Sequence, residues 1–448
     1  MKKYILSFLA VATILSCEKP VEGLNDNPNA FTDTPLSLIL NHSLLNVASV
    51  AEAAPARYAT IFTDQFTGVD RQYGTLNLYS VTAGEYEEVW GDIFQRGVSQ
   101  VQIAKEKAIE SGNASVEGQA LILEGYYFAE GALVFNDIPF SEVNNPEFPD
   151  PRYEEQETVI RGAISLIEQG MAKAGSVSAA NKVFATSSTW TQIGNALKAR
   201  YLLALGEYLN AHDAALAANF TSNSNDWSII HTSANYGENL FWQFEVEQRG
   251  DYLKVENSYM SRLLKSDEPI YRGNAKTDET HRYDYYVASN GLSLNTTDGF
   301  AAQTRNFPVI SYEEIQLIIA EGRARLNLIP DAIESLNNVR AAHAANFSGG
   351  VYSPYVLADF EAGGMVSHGE NNVSDALLKE ILMEKYVSVI GLPTYQDILR
   401  TENMVGVPIK NSETSIIPQR FIYVASEESS NSNFPGFVDK YTKTDIYN

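Results

Sequence analysis

The chain runs to 448 residues, 44% hydrophobic and 11% aromatic, enough to bury a sizeable core and too apolar for a disordered segment. Its formal net charge of −24 repels nucleic acid and anionic lipid surfaces, which excludes a general phosphate-binding role and makes neutral ligands the easier fit. A single cysteine excludes an internal disulfide and a thiolate metal cluster.

The first predicted element is a leader. Lys2 and Lys3 precede the apolar run YILSFLAVATIL (4–15), which is too short to span roughly 30 Å of hydrocarbon and reads as a signal peptide. Ile14-Leu15-Ser16-Cys17 has the form of a bacterial lipobox, in which cleavage leaves the cysteine as the new N-terminus and its sulfur carries a diacylglycerol. The expectation is a signal peptide over 1–16, a lipid-anchored tether over 17–34, and a protein that sits on a membrane through Cys17 without crossing it.

From 35 to 448 the pattern is one all-α domain. Thr34 and Pro35 read as N-cap and first helical position ahead of LSLILNHSLLNVA. A helical zone spans 83–135 and stops at NDIPFSEV, where Asn136-Asp137 and Pro139 end it. Further helices are expected over 154–174 and 188–212. A weak repeat follows: Ala199, Gly206, Tyr208 and Ala211 recur at the same offsets as Ala320, Asn327, Ile329 and Ala332. Small residues at this spacing suit the crossing of two helices in a tetratricopeptide-like (TPR-like) hairpin. Between the copies, about 219–310 has little periodicity and reads as a loop insertion, the kind of segment that serves function. Other irregular stretches are expected at 347–373 and in IPQRFIYVASEESSNSNFPGF near the C-terminus.

Catalytic motifs are absent. Six histidines, at 42, 212, 231, 281, 343 and 368, contain no H-E-x-x-H spacing, and there is no G-x-S-x-G elbow, phosphate loop or G-x-G-x-x-G. Lipid consumes the Cys17 thiol. Glu87-Glu88 and Glu313-Glu314 read as charge complementing helix N-termini, in preference to a glycosidase pair. The expectation is a binding protein, not an enzyme, with no cofactor; Asp- and Asn-rich loops leave a structural Ca²⁺ open.

Aromatic and polar residues gather in three loops. DQFTGVDRQYGTLNLY carries Phe66, Asp70, Arg71, Tyr73 and Tyr79; NYGENLFWQFEVEQRGDY carries Tyr236, Trp242, Arg249 and Tyr252; HRYDYY carries Tyr283, Tyr285 and Tyr286. An aromatic face can stack on a sugar ring while Asp, Asn and Arg bind hydroxyls, and the same groups grip a peptide. The alternative is that such rings merely plug loops onto the core. The candidate ligand residues are Asp70, Arg71, Tyr73, Tyr79, Tyr236, Trp242, Arg249 and Tyr285, with the 66–79 loop favoured.

Four ordered segments carry a family resemblance. EGQALILEGYYFAEGALVFNDIPFSEV (117–143), IGNALKARYLLALGEYLNAHDAA (193–215), FPVISYEEIQLIIAEGRARLNLIPDAIESLNNVRAAHA (307–344) and LLKEILMEKYVSVIGLPTYQDILR (377–400) are similar to successive segments of SusD/RagB-type lipoproteins of Bacteroidota. MEKYVSV stands where that family commonly has E-R-R-x-E-L, and GLPTYQDILR where G-E-[RH] usually precedes an aromatic box, so the chain resembles a divergent, shorter branch. The resemblance implies an all-α, TPR-like scaffold decorated with irregular loops, exposed at the cell surface over a SusC-like TonB-dependent transporter. It implies capture of an oligosaccharide, which the charge makes neutral, and Glu321, Arg340 and Arg400 as packing and capping residues. Alternatives are a peptide-binding subunit of the same importer, a lipid-anchored hydrolase and an assembly scaffold.

Overall fold

The computed structural model describes residues 34–448; the expected signal peptide, Cys17 and nearly all of the tether lie outside the described residues. Helix Leu36–Ala51 starts one position later than expected: Pro35 itself is the N-cap, with φ −53° and ψ 136°, and its carbonyl accepts from Leu38 and Ile39. The 83–135 zone is helical throughout except for one turn, and is divided into Glu87–Ile93, a π-type turn Phe94–Val98, Ser99–Glu110 and Ala114–Phe135. Gly112 at φ +66° allows the break at that turn, and Asn113 caps the next helix by accepting from the Val116 N–H at 3.2 Å. Asn136 ends the run at φ +78°, as its sequence neighbourhood implies.

Ala114–Phe135 packs against Gln156–Ala174 backbone to backbone. A Cβ added at Gly118 would lie 2.4 Å from the Ala174 nitrogen, and one at Gly125 would lie 2.6 Å from the Ala163 carbonyl oxygen. Both TPR-like hairpins are present. Trp190–Ala204 turns into Tyr208–Ala218, and Tyr312–Arg325 turns into Ile329–Asn346. The turns use Gly206 at φ +72° and Asn327 at φ +60°, the equivalent residues of the repeat. Ala199, Ala211, Ala320 and Ala332 are all fully buried at the crossings. The expected 188–212 helix is therefore two helices, because Gly206 releases the chain into the left-handed region. The hairpins meet where a Cβ on Gly322 would approach that of His212 at 2.8 Å.

The 219–310 insertion has short elements of its own. Its first strand, Trp227–Ile229, pairs antiparallel both with Phe184–Ala185 and with Phe307–Ile310, where the insertion ends. The segment thus leaves and re-enters the helical body side by side. The C-terminal stretch is irregular but not peripheral: Phe421 is fully buried, stacked at 4.5 Å on Tyr86, and its N–H donates to the Val134 carbonyl.

Buried ion pairs fasten the late helices. Glu321 accepts from Arg400, whose Nη1 lies 2.6 Å from Oε1, and Lys385 pairs with Asp397 at 2.9 Å. Glu384, in the divergent MEKYVSV, holds Arg272, Arg282 and His343 at 2.7 to 2.9 Å. Arg340 lies 3.6 Å from the centre of the Tyr355 ring and donates to the carbonyls of Ser353 and Lys276. Glu321, Arg340 and Arg400 thus do the scaffold work expected of them.

Candidate functional site

A cavity of about 1010 Å³ opens where the insertion meets the second hairpin. Its walls come from 281–308, the N-terminus of Tyr312–Arg325, the C-terminus of Ile329–Asn346 and the end of Val373–Ser388. Ser311 caps the first of these helices by accepting from the Glu314 N–H at 3.1 Å, which aims Glu313 and Glu314 at the same space.

The cavity floor is ionic. Arg200, from the first hairpin, donates to both oxygens of Glu314 at 2.7 Å and to the Val309 carbonyl at 2.6 Å, with Glu130 at 3.4 Å. Burial raises the Glu130 carboxyl above its ordinary range, and Arg200 offsets this only in part. Arg282 is held by Glu279 and Glu384, both at 2.8 Å. Both arginines are therefore already neutralised by protein carboxylates.

One wall is different. Asn223 donates from a single amide nitrogen to Glu313 Oε1 at 2.7 Å and to Asp226 Oδ2 at 3.3 Å. Asn346 donates to Asn223 Oδ1 at 3.1 Å, and the Tyr312 N–H to Asp226 Oδ1 at 2.6 Å. Neither carboxylate has an ion-pair partner among the described residues. Burial, and then the charge of Glu313, push the Asp226 carboxyl up to about 8.

Aromatic rings complete the lining. Tyr285 is half-buried, its ring 5.6 Å from that of Phe347 and 6.3 Å from that of Phe300. The Arg305 guanidinium lies 5.6 Å from the Tyr285 ring centre. Tyr126 lines the cavity at 1% exposure, and its hydroxyl has no hydrogen-bond partner among the described residues.

Of the sequence candidates, Tyr285 alone lines this cavity. The first two aromatic loops do meet, through the pairing of Thr67–Gly68 with Leu253–Lys254, but they meet as core. Tyr73 is 2% exposed, packed at 4.9 Å on Phe244, and its hydroxyl accepts from Arg57 Nε at 2.7 Å. Tyr79 is 1% exposed and its hydroxyl accepts from the Lys410 N–H. Neither ring offers a face to a ligand, which corrects the preference for the 66–79 loop. Trp242 is half-buried beside fully buried Phe241, and Asp70 serves as the N-cap of the short helix Arg71–Asn77. Arg71, Tyr236 and Arg249 are exposed away from the cavity lining. Sequence reasoning missed Tyr126, Asn223, Asp226 and Phe347; Glu313 was noticed, as helix-terminal charge only.

Among the described residues, no three His, Cys, Asp or Glu side chains are grouped to hold a metal ion, and no helix is long and apolar enough to cross a membrane.

Residues 28–390 match the SusD-like family model, described as starch-binding and associating with the outer membrane. No curated protein matches the sequence at a significant level. Similar solved structures include a SusD/RagB family protein from Bacteroides thetaiotaomicron, 19% identical over 90% of this chain and 95% of that one, with a TM-score of 0.65. A second SusD-like protein from the same organism is 14% identical over 89% of this chain and 93% of its own, TM-score 0.67. A chitin-binding SusD homologue from Flavobacterium johnsoniae is 14% identical over 91% of this chain and 98% of its own, TM-score 0.66.

Proposed function

The chain belongs to the SusD-like family, and from that membership we propose that it captures an oligosaccharide in the aromatic-lined cavity and passes it to a SusC-like TonB-dependent transporter. The observation that carries this reading is the meeting of Tyr285, Phe300 and Phe347 with amide, hydroxyl and carboxylate groups in one cavity of about 1010 Å³. Rings supply stacking faces for a sugar, and the polar groups around them supply hydroxyl partners. Arg200 and Arg282 are paired with carboxylates and, of the lining arginines, Arg305 alone keeps an uncompensated charge among the described residues. Asp284, Asp298 and Glu313 stand against it on the same lining, so the balance left to meet a ligand is negative, which disfavours anionic glycans. The chitin-binding relative supports the carbohydrate class. In this reading the protein does no chemistry, Cys17 carries the lipid that anchors it to the outer membrane, and the cavity faces the outside of the cell.

Titration calorimetry against neutral glycans, anionic glycans and mixed peptides tests the ligand class. Heat with a neutral glycan and none with its anionic counterpart is the expected result. Heat with peptides alone transfers the protein to peptide capture and overturns the carbohydrate reading.

A further inference from the structure

The charges around the cavity are unevenly spent. Arg200 and Arg282 are each held by two carboxylates, while Arg305 donates only to the backbone carbonyls of Gly299 and Asp298 among the described residues and keeps its charge at the exposed edge of the cavity. No lysine lines the space. Asp226 and Glu313, by contrast, face it bridged by the Asn223 amide, with the Asn346 amide 3.4 Å from Glu313 and the Tyr312 N–H on Asp226, but with no cation on either among the described residues. Glu313 is 7% exposed, and burial together with its charge raises the Asp226 carboxyl to about 8, so near neutral pH the pair holds one negative charge and one proton, which a cation seated between them displaces. Amide donors satisfy lone pairs but bring no positive charge. An ammonium brings both, with three N–H donors to share between two carboxylates. The Tyr126 hydroxyl is a second, separate sign that the cavity suits a polar guest: on a side chain only 1% exposed, it opens onto the cavity with no protein partner among the described residues and is free to bond what enters. Tyr285 and Phe347 provide the stacking surface that a bare cation site would not need.

We propose that the cavity accepts an oligosaccharide whose sugar units carry a free, positively charged amine, with the ammonium seated against Asp226 and Glu313. This rests on the carbohydrate reading above and narrows it. An acetylated amine has lost its charge and meets the same wall only as a neutral amide, while a carboxylated sugar is repelled by it.

The test compares an oligomer of glucosamine with its N-acetylated counterpart of equal length, by titration calorimetry on the full-length protein in detergent. The amine form is expected to bind about tenfold tighter, with the advantage shrinking as salt is raised. In Glu313→Gln and in Asp226→Asn the ratio of the two affinities is expected to fall towards one, with melting curves confirming that each variant is folded. If the acetylated form binds and the amine form binds no tighter, the inference is overturned while the carbohydrate reading stands. If neither oligomer and no neutral glycan binds, both fall together. A lysine-containing peptide is the remaining arm: binding of that peptide with no response to either sugar assigns the acidic wall to peptide side chains and also overturns the inference.

Discussion

Glu321 and Arg400, 79 positions apart in the chain, face each other across the interior with Nη1 2.6 Å from Oε1, and Glu321 has no exposed surface at all. Burial alone would raise the Glu321 carboxyl; Arg400 overrides it and holds the group well below the usual carboxylate range. Removing one member leaves the other charged and dry, so Glu321→Ala is expected to cost about 3–5 kcal/mol of unfolding free energy in denaturant titration. Replacing both residues by Met should cost less than the two single losses added together. A folded pKa depressed below the unfolded one gives stability that is complete above the unfolded value of 4.5 and lost as the pH falls through the folded value. The wild type should therefore lose more stability than Glu321→Ala on acidification.

Tyr73 and Tyr285 looked alike in sequence and are expected to behave oppositely. Tyr73→Ala empties a buried site and should cost roughly 3–5 kcal/mol of stability. Tyr285→Ala removes a cavity-lining face and should weaken glycan binding by about 1–2 kcal/mol with little change in melting temperature. Parallel calorimetry and thermal melts of the two variants decide this; a Tyr285 variant that melts early and binds normally places that ring with the core.

Asp226 predicts a pH slope. Its carboxyl is raised from 3.8 to about 8, so the folded state holds a proton that the unfolded chain has released across that window. Stability should then fall as the pH rises from 3.8 towards about 8. Asp226→Asn, which stays neutral, should flatten that fall. The net charge of −24 adds a slope of the same sign through self-repulsion, so the informative quantity is the difference between wild type and variant at each pH. Equal slopes would remove Asp226 as their source.

Cys17→Ala tests the anchor. The variant should appear in the soluble fraction of cells, while the wild type stays with outer membranes after salt washing. Equal retention of both would mean that something other than lipid on Cys17 holds the protein.

Much of the scaffold was legible because it obeys local rules. Ala199 and Ala211, and likewise Ala320 and Ala332, announce helix crossings by size and spacing, and Gly206 and Asn327 mark the turns between them by their tolerance of positive φ. The cavity was not legible, because its groups come from positions as distant as Tyr126, Arg200, Asp226, Tyr285, Glu313 and Asn346, and no local pattern links them. Tyr73 misled for a related reason. A ring in a polar loop looks available until the loop is pinned down, here by the pairing of Gly68 with Leu253 across the sheet. Glu313 was visible but was explained too easily by the helix it begins.

The adjacent strands Trp227–Ile229 and Phe307–Ile310 give the insertion a common doorway into the helical body. A segment whose two ends are clamped side by side can be lengthened, shortened or rewritten without asking the hairpins to move, and each doubling of loop length costs only about 0.6 kcal/mol in closure entropy. One stable chassis can thereby be fitted with different recognition surfaces, and residues 230–306 form a natural cassette for exchange between relatives that share the fold and differ in what they bind.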